Sequence, residues 1–506
     1  MRTAAQTAML MAVLTLGSKL LGFIREMIMA ACFGASYITD AYVMANNIPG
    51  MIFGGIFGAV AVAYMPLFSK LTETKSREEG LLFTNQVMNL LILVSLVSSL
   101  TGLLLSDQIV SIFARGFTGE TAALTSFYVK VSFSWVLFTS TASLLDAFLQ
   151  YKGVFLLQVV TGYVQNAAVI AVILISYFTS HYYLIFGSLL GYAIRLLIVS
   201  GWSRKYGMRY RPVFAFGETV KKVFALSLPV FIGSYIGQIN LFVDRMLASG
   251  LPEGSVSALN YGHLIMGLVT GLTTTIITTI IYPKMTQAYS LREEGRFGDM
   301  VNTGFHLLYI ILVPSTLGLL LYSQEIVQAV YERGAFDLSA TDMTGQALFF
   351  YAIGMLPAAL NGLFVQTYYS RHNMKTPVIY GAAGVVINVA LNLLLIRSMA
   401  HCGLALATSL AALCNSLLLY YGIRKKYPEV VIVGSMVKIG KITGAAVAAV
   451  ACSYGVFRLI QATIWMPRAV ALMAVVALAG LVYLGLLKLL QIEELTFVRQ
   501  ILKRRK

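Results

Sequence analysis

Stretches of roughly 20 consecutive apolar residues recur from one end of this chain to the other, and no other feature limits its fold so severely. Each is long enough to cross hydrocarbon as an α-helix, whereas a barrel strand would need about 10 residues with strict alternation. About fourteen stretches have helical length. The 506 residues are 58% hydrophobic and 11% charged, against about 25% charged in a soluble globular chain. The expected class is an all-α integral membrane protein. The first stretch lacks a short apolar core followed by a small-residue cleavage site, so it is expected to be a membrane helix and not a cleaved signal. Cys32, Cys402, Cys414 and Cys452 are scattered without metal-ligand or paired spacing and read as buried small side chains.

The net charge of +16 sits on alternate connections. Lys70, Lys75, Arg77, Arg204, Lys205, Arg209, Arg211, Arg424, Lys425, Lys426 and the terminal Lys503–Lys506 all fall on one side when the spans are threaded. Basic residues are retained in the cytoplasm during insertion, so both termini are expected there. The basic tail suits anionic lipid headgroups. No RNA- or DNA-binding motif accompanies the charge, which argues against nucleic acid.

The chain also resembles itself at an offset of about 216–222 residues. LGFIREMIMA around Arg25 matches INLFVDRMLA around Asp244 and Arg245. The segment ending in Arg115-Gly116-Phe117 matches the one ending at Phe336 through Arg333-Gly334, and the surroundings of Asn166 echo those of Asn388. These matches keep their order, which two unrelated Leu-rich helices would not. The expected architecture is two parallel six-helix lobes, 1–216 and 217–430, followed by helices 13 and 14 with a basic tail, 431–506. Parallel repeats of this kind are a recurrent transporter design, with substrate held between lobes that rock.

At 100° per residue, Thr15, Ser18, Lys19, Gly22, Arg25 and Glu26 share an arc of about 120° on helix 1. Charged groups facing hydrocarbon are costly, so this stripe belongs on a bundle interior or a water-filled cavity. Two readings are open for Arg25: a cavity cation for an anionic ligand, made suitable by its two-pronged guanidinium, or a structural partner of Asp40 or Glu26. The second helix adds Asp40, Asn46, Asn47 and Pro49, then Gly50, Gly54 and Gly58 at four-residue spacing. That spacing reads either as a close-packing face or as a hinge beside the cavity.

GFIREMIMAACFGASYITDAY followed by Pro49 resembles the first two helices of the MurJ/MviN lipid II flippases, in the superfamily that includes the MATE exporters. YYSRHNMKTPV, from Tyr368 to Val378, resembles that family's segment joining helices 10 and 11. The resemblance runs from about Thr15 to Tyr427. It implies two lobes around a cationic cavity in a bacterial cytoplasmic membrane, with a single chain as the working unit. The substrate would be lipid II, with its pyrophosphate at Lys19 and Arg25 and its tail along helices 13 and 14. Glu26, Asp40, Asn47, Arg245 and His263 complete the expected substrate set. The chain departs from the family in carrying Phe53-Gly54-Gly55 and His263 where arginines are common, which keeps another polyprenyl-linked glycan open as substrate.

Asp244, Asn388, Asn392 and Thr408 offer oxygen ligands from three helices, and the resemblance allows a sodium site there. An interhelical amide and hydroxyl network is the alternative. A membrane enzyme is disfavoured, because the five histidines form no metal motif and no nucleophile-base pair stands out. A MATE-type drug exporter would be expected to favour acidic or aromatic cavities over cationic ones.

Overall fold

The structure, a computed structural model, describes residues 4–213, 217–430, 436–463, 466–492 and 494. The basic tail expected to meet lipid, Lys503–Lys506, lies outside the described residues. Among those described, all regular elements are helical. By length and composition, ten helices among the described residues can cross a membrane, or eleven if the pair Leu338–Ile353 and Met355–Ser370, bent by 44°, is one span. The 52-residue helix Lys375–Lys426 breaks at Ala400 (φ 48°, ψ −130°), so it supplies two expected spans. Helices Ala4–Phe33 and Glu218–Ala248 occupy the two positions left.

The chain divides into two compact units, Met1–Ser257 with Arg333–Asp337, and Ala258–Glu332 with Leu338–Lys506. Helix Glu218–Ala248 falls in the first of them.

The first unit contains α1 (Ala4–Phe33), α2 (Tyr37–Thr74), α3 (Arg77–Leu104), α4 (Ser106–Phe113), α5 (Gly119–Ser134), α6 (Val136–Tyr151), α7 (Leu156–Phe178), α8 (Phe186–Lys205) and α9 (Glu218–Ala248). Helix α1 stops at Gly34, whose φ of +66° closes a helix cheaply only without a Cβ. Helix α3 starts from Ser76, whose side chain accepts the Glu79 N–H, with Glu78 and Glu79 in the first turn favouring the positive helix end. Helix α2 packs against α3, α5, α6 and α9, and α7 lies between α1 and α8. The core is aromatic: Phe68 sits 5.4 Å from Tyr64, 5.6 Å from Phe148 and 4.9 Å from Tyr151 by ring centroids. The buried Tyr64 hydroxyl is satisfied by Thr84 at 2.7 Å.

Among the described residues, the glycine stripe of α2 is not a close-packing face. A Cβ added at Gly50, Gly54 or Gly58 would meet nothing within 4 Å, whereas Gly55, off the stripe, faces Phe231 and Tyr235 of α9.

Helix α10 (Ser255–Ile276) begins in the first unit with its first turn, up to Ser257, and continues into the second, which also contains a π-helical turn (Ile277–Ile281), α11 (Tyr282–Ser290), α12 (Glu294–Tyr331), α13 (Leu338–Ile353), α14 (Met355–Ser370), α15 (Lys375–Lys426), α16 (Met436–Thr463) and α17 (Arg468–Leu489). Small residues Ala445, Ala446 and Ala449 bury against Ile310 and Val313, letting α16 approach α12 closely. The Tyr483 hydroxyl donates to the Ile310 carbonyl at 2.8 Å, tying α17 to the same helix. Of the four cysteines expected to be buried, only Cys402 is, and Cys452 is exposed. Its helix is apolar, and lipid replaces protein as its surroundings.

Candidate functional site

Helix α1 carries the cationic stripe. Lys19 is exposed and makes no polar interaction among the described residues. Arg25, its side chain 28% exposed, is held on two sides. Its Nη1 donates to Asn166 Oδ1 of α7 at 3.1 Å, while Nη2 and Nε reach Glu26 Oε1 at 2.5 and 3.1 Å. Glu26 is buried, so its carboxylate depends on that arginine. Of the two structural partners open from the sequence, the structure pairs Arg25 with Glu26 and not with Asp40. Asn166, which the sequence marks only as part of the repeat, is a partner that sequence reasoning did not find.

Asp40 is engaged elsewhere. It is buried, and its Oδ2 accepts the Gly254 N–H at 2.8 Å. Its Oδ1 accepts the Ser257 N–H at 2.7 Å and also the Ser257 hydroxyl. A carboxylate here meets the free N–H groups at the start of α10, where the helix dipole favours negative charge. Gly254, at φ +85°, turns the chain so that its N–H faces the carboxylate. Reciprocally, Glu253 accepts the Tyr37 N–H at the start of α2 at 2.8 Å. Three donors thus engage its carboxylate, and Asp40 caps the start of α10 in this conformation.

The surrounding bonds carry the repeat. Gly116 N–H donates to Ser249 Oγ at 3.1 Å, and Ala335 N–H donates to the Ala31 carbonyl at 2.8 Å. Each Arg-Gly turn thus meets the end of the first helix of the opposite repeat, and shifting one contact by the repeat offset of about 216–222 residues lands on the other. Tyr37 with Glu253, and Asp40 with Ser257, are separated by nearly the same offset. These turns form one quasi-symmetric junction inside the first unit.

The remaining expected residues are dispersed. Asn47 is half-buried and donates to Val43 of its own helix at 2.6 Å. Asp244 is buried and Arg245 half-buried on α9, and both are engaged by neighbours. His263, in the second unit, lies edge-on to Tyr351 with ring centroids 5.5 Å apart. Asn388 and Asn392 are fully buried on α15. The Asn392 amide donates to Asn388 Oδ1 at 3.1 Å, and the Asn388 amide donates to Thr408 Oγ1 at 3.4 Å. Three of the four proposed ion ligands therefore converge in the second unit, linked by hydrogen bonds, while Asp244 falls in the first. Among the described residues, no group of three or more His, Cys, Asp or Glu is placed to hold a metal, so any ion here would rely on neutral oxygens.

Comparison with known proteins bears on this arrangement. Residues 29–488 match the family described as Lipid II flippase MurJ. A probable lipid II flippase MurJ of Rhizobium meliloti is 29% identical over 420 residues, covering 80% of this chain and 78% of the relative. The lipid II flippase MurJ of Burkholderia cenocepacia is 24% identical over 425 residues, covering 81% and 82%. Among solved structures, lipid II flippase MurJ in an inward closed conformation superposes with a TM-score of 0.82 at 23% identity, covering 98% of this chain and 100% of that one. An inward-facing MATE transporter of the MOP superfamily reaches 0.66 at 13% identity, covering 84% and 100%, a similarity of fold alone.

Proposed function

This chain belongs to the family of MurJ lipid II flippases, and on that premise we propose that it moves lipid II from the inner to the outer leaflet of the bacterial cytoplasmic membrane. It is a transporter and not an enzyme. The headgroup of lipid II cannot cross hydrocarbon unaided, whereas its polyprenyl tail can remain in lipid. The protein therefore needs to supply a polar path for one end only. The observation that carries the reading is the family match across residues 29–488. Helix α1 supports it with two cations, Lys19, which has no ion-pair partner among the described residues, and the partly exposed Arg25.

We assign the substrate pyrophosphate to Lys19 and Arg25. Phosphate oxygens are strong, planar-accessible acceptors for a guanidinium, so substrate would compete with Glu26 for Arg25. Asn47, Arg245 and His263 are further contacts in this proposal. Asp40 takes a different role: it fastens the 31–40 turn to the 249–257 turn, and release of that junction accompanies opening. The repeat lobes 1–216 and 217–430 rock as alternating access requires, within a single chain whose termini both lie in the cytoplasm. Sodium is the proposed coupling ion, with Asn388, Asn392 and Thr408 supplying neutral oxygens suited to a hard monovalent cation.

The deciding experiment is replacement. A host depleted of its own lipid II flippase is made to express this chain, and lipid II accessible at the outer surface is measured. Restored accessibility is expected; a well-inserted chain that leaves lipid II inside would overturn the assignment.

A further inference from the structure

The second unit holds a cavity of about 570 Å³ that the transport reading does not use. It opens where α11, α14 and α15 end, so it lies at the membrane surface and not within the hydrocarbon. Its floor is Arg371, whose side chain is only 10% exposed. The guanidinium stacks 4.3 Å from the Phe297 ring and 4.4 Å from that of Tyr427, with Tyr289 at 5.3 Å. Both of its carboxylate partners, Glu294 and Glu429, are held by Nη2. Nη1 donates to nothing among the described residues. Three rings and two carboxylates thus fix one forked donor in place.

The rim supplies two positive charges, which more than offset the one carboxylate in excess around Arg371. Lys375 and Lys426 line the cavity, are exposed, and form no ion pair among the described residues. The other carboxylate nearby in sequence, Glu293, pairs with Arg296 at 2.8 Å. Asn373, also in the wall, caps the start of α15 by accepting the Thr376 N–H at 3.3 Å. Beside this polar bowl the surface turns apolar at once. Met374, in the wall, is 64% exposed, and Ile379, one turn into α15, is 65% exposed. A fixed arginine donor, two ammonium groups with no carboxylate partner among the described residues and an adjoining apolar strip together suit an anion attached to hydrocarbon.

We propose that this cavity binds a phosphate group at the membrane surface, with Lys375 and Lys426 as its charge partners and Arg371 as its fixed donor. The phosphate of an anionic phospholipid headgroup and free phosphate share this chemistry. The apolar strip at Met374 and Ile379 has a use only for the lipid.

The test uses the purified full chain in a neutral detergent, titrated calorimetrically with dioctanoyl-phosphatidylglycerol, dioctanoyl-phosphatidylcholine and inorganic phosphate. The Lys375→Gln/Lys426→Gln variant removes the two rim charges and leaves Arg371 and its packing intact. A basic residue near an anionic surface is worth about fivefold in affinity, so the pair should cost about 30-fold for phosphatidylglycerol. Lys425→Gln/Lys441→Gln makes the same charge change outside the cavity and should cost less than about threefold on the same scale. Phosphatidylcholine, whose own cation opposes the lysines, should bind more weakly than phosphatidylglycerol. Inorganic phosphate binding with the same dependence on Lys375 and Lys426 would identify free phosphate as a ligand, and its failure to bind would identify the headgroup. Equal affinities for the parent and the rim variant, or equal losses in the two double variants, would overturn the proposal. None of these readings depends on transport.

Discussion

Asp40→Asn probes the junction with the least change of shape. The carboxylate accepts two backbone N–H groups at 2.8 and 2.7 Å and the Ser257 hydroxyl. An asparagine keeps one acceptor oxygen and turns an NH2 group toward a donor, leaving either Gly254 or Ser257 without its partner. Hydrogen bonds to a charged group contribute about 1.5–3 kcal/mol net. Neutralising a buried carboxylate also removes part of its desolvation cost, so a loss near ~2 kcal/mol is expected. That corresponds to roughly a 30-fold rise in the population with the junction open. The reporter is Ala41→Cys, a position fully buried beside the junction, in a chain whose four native cysteines are replaced by serine. A membrane-impermeant maleimide should label it about 30-fold faster in the Asp40→Asn variant when opening limits the reaction. In a Ser257→Ala background the Asn substitution should cost less, because the two residues share one contact. Labelling within about threefold of the parent would refute the latch. If flipping fell while labelling did not change, Asp40 would be acting on substrate.

Arg25→Ala should abolish flipping and also lower membrane abundance, because it strands the buried Glu26 carboxylate; adding Glu26→Gln should restore abundance but not flipping, and recovery of flipping in the double variant would exclude Arg25 as a substrate ligand. Asn392→Leu removes the amide that bonds Asn388 and should abolish any sodium-dependent transport or thermal stabilisation, whereas unchanged sodium dependence would leave a purely structural network. Burial would raise the Glu494 carboxyl, but hydrogen bonds from His306 and Lys438 outweigh it and hold the group at about 2. That stabilisation is present above the ordinary value of 4.5 and is lost as pH falls toward 2. Glu494→Gln should therefore lower the unfolding temperature at neutral pH and match the parent at the acid end of that window; a constant difference across it would contradict the linkage. Single cysteines at the exposed positions Lys75, Arg209 and Lys425 should label from the cytoplasm, and those at Thr118 and Ala335 from outside, with the reverse pattern refuting the orientation.

What the sequence revealed and what it hid follow from how each interaction is made. The spans were legible because hydrocarbon demands long apolar runs. Even the reversal at Ala400, which has neither proline nor glycine at the break itself, was marked by a dip in apolarity before His401. The repeat was legible too, and it accounts for the paired contacts of Gly116 with Ser249 and Ala335 with Ala31. Asp40 stood out as a charge in an apolar run, but its partners are mostly backbone N–H groups, which every residue type except proline carries and no side-chain pattern announces. Arg25 shows the opposite difficulty. Neighbours at i and i+1 do not face each other on a helix, so helical geometry alone favours a partner other than Glu26. The long arginine side chain nevertheless folds back across its own helix to reach that carboxylate. It thereby carries a charge already balanced inside the first unit. Lys19, one turn and a half earlier on the same stripe, has no such balance among the described residues. In a bilayer an unbalanced cation needs water or an anion, and of the two cations on α1 Lys19 is therefore the one whose position has no structural purpose to compete with a phosphate ligand's.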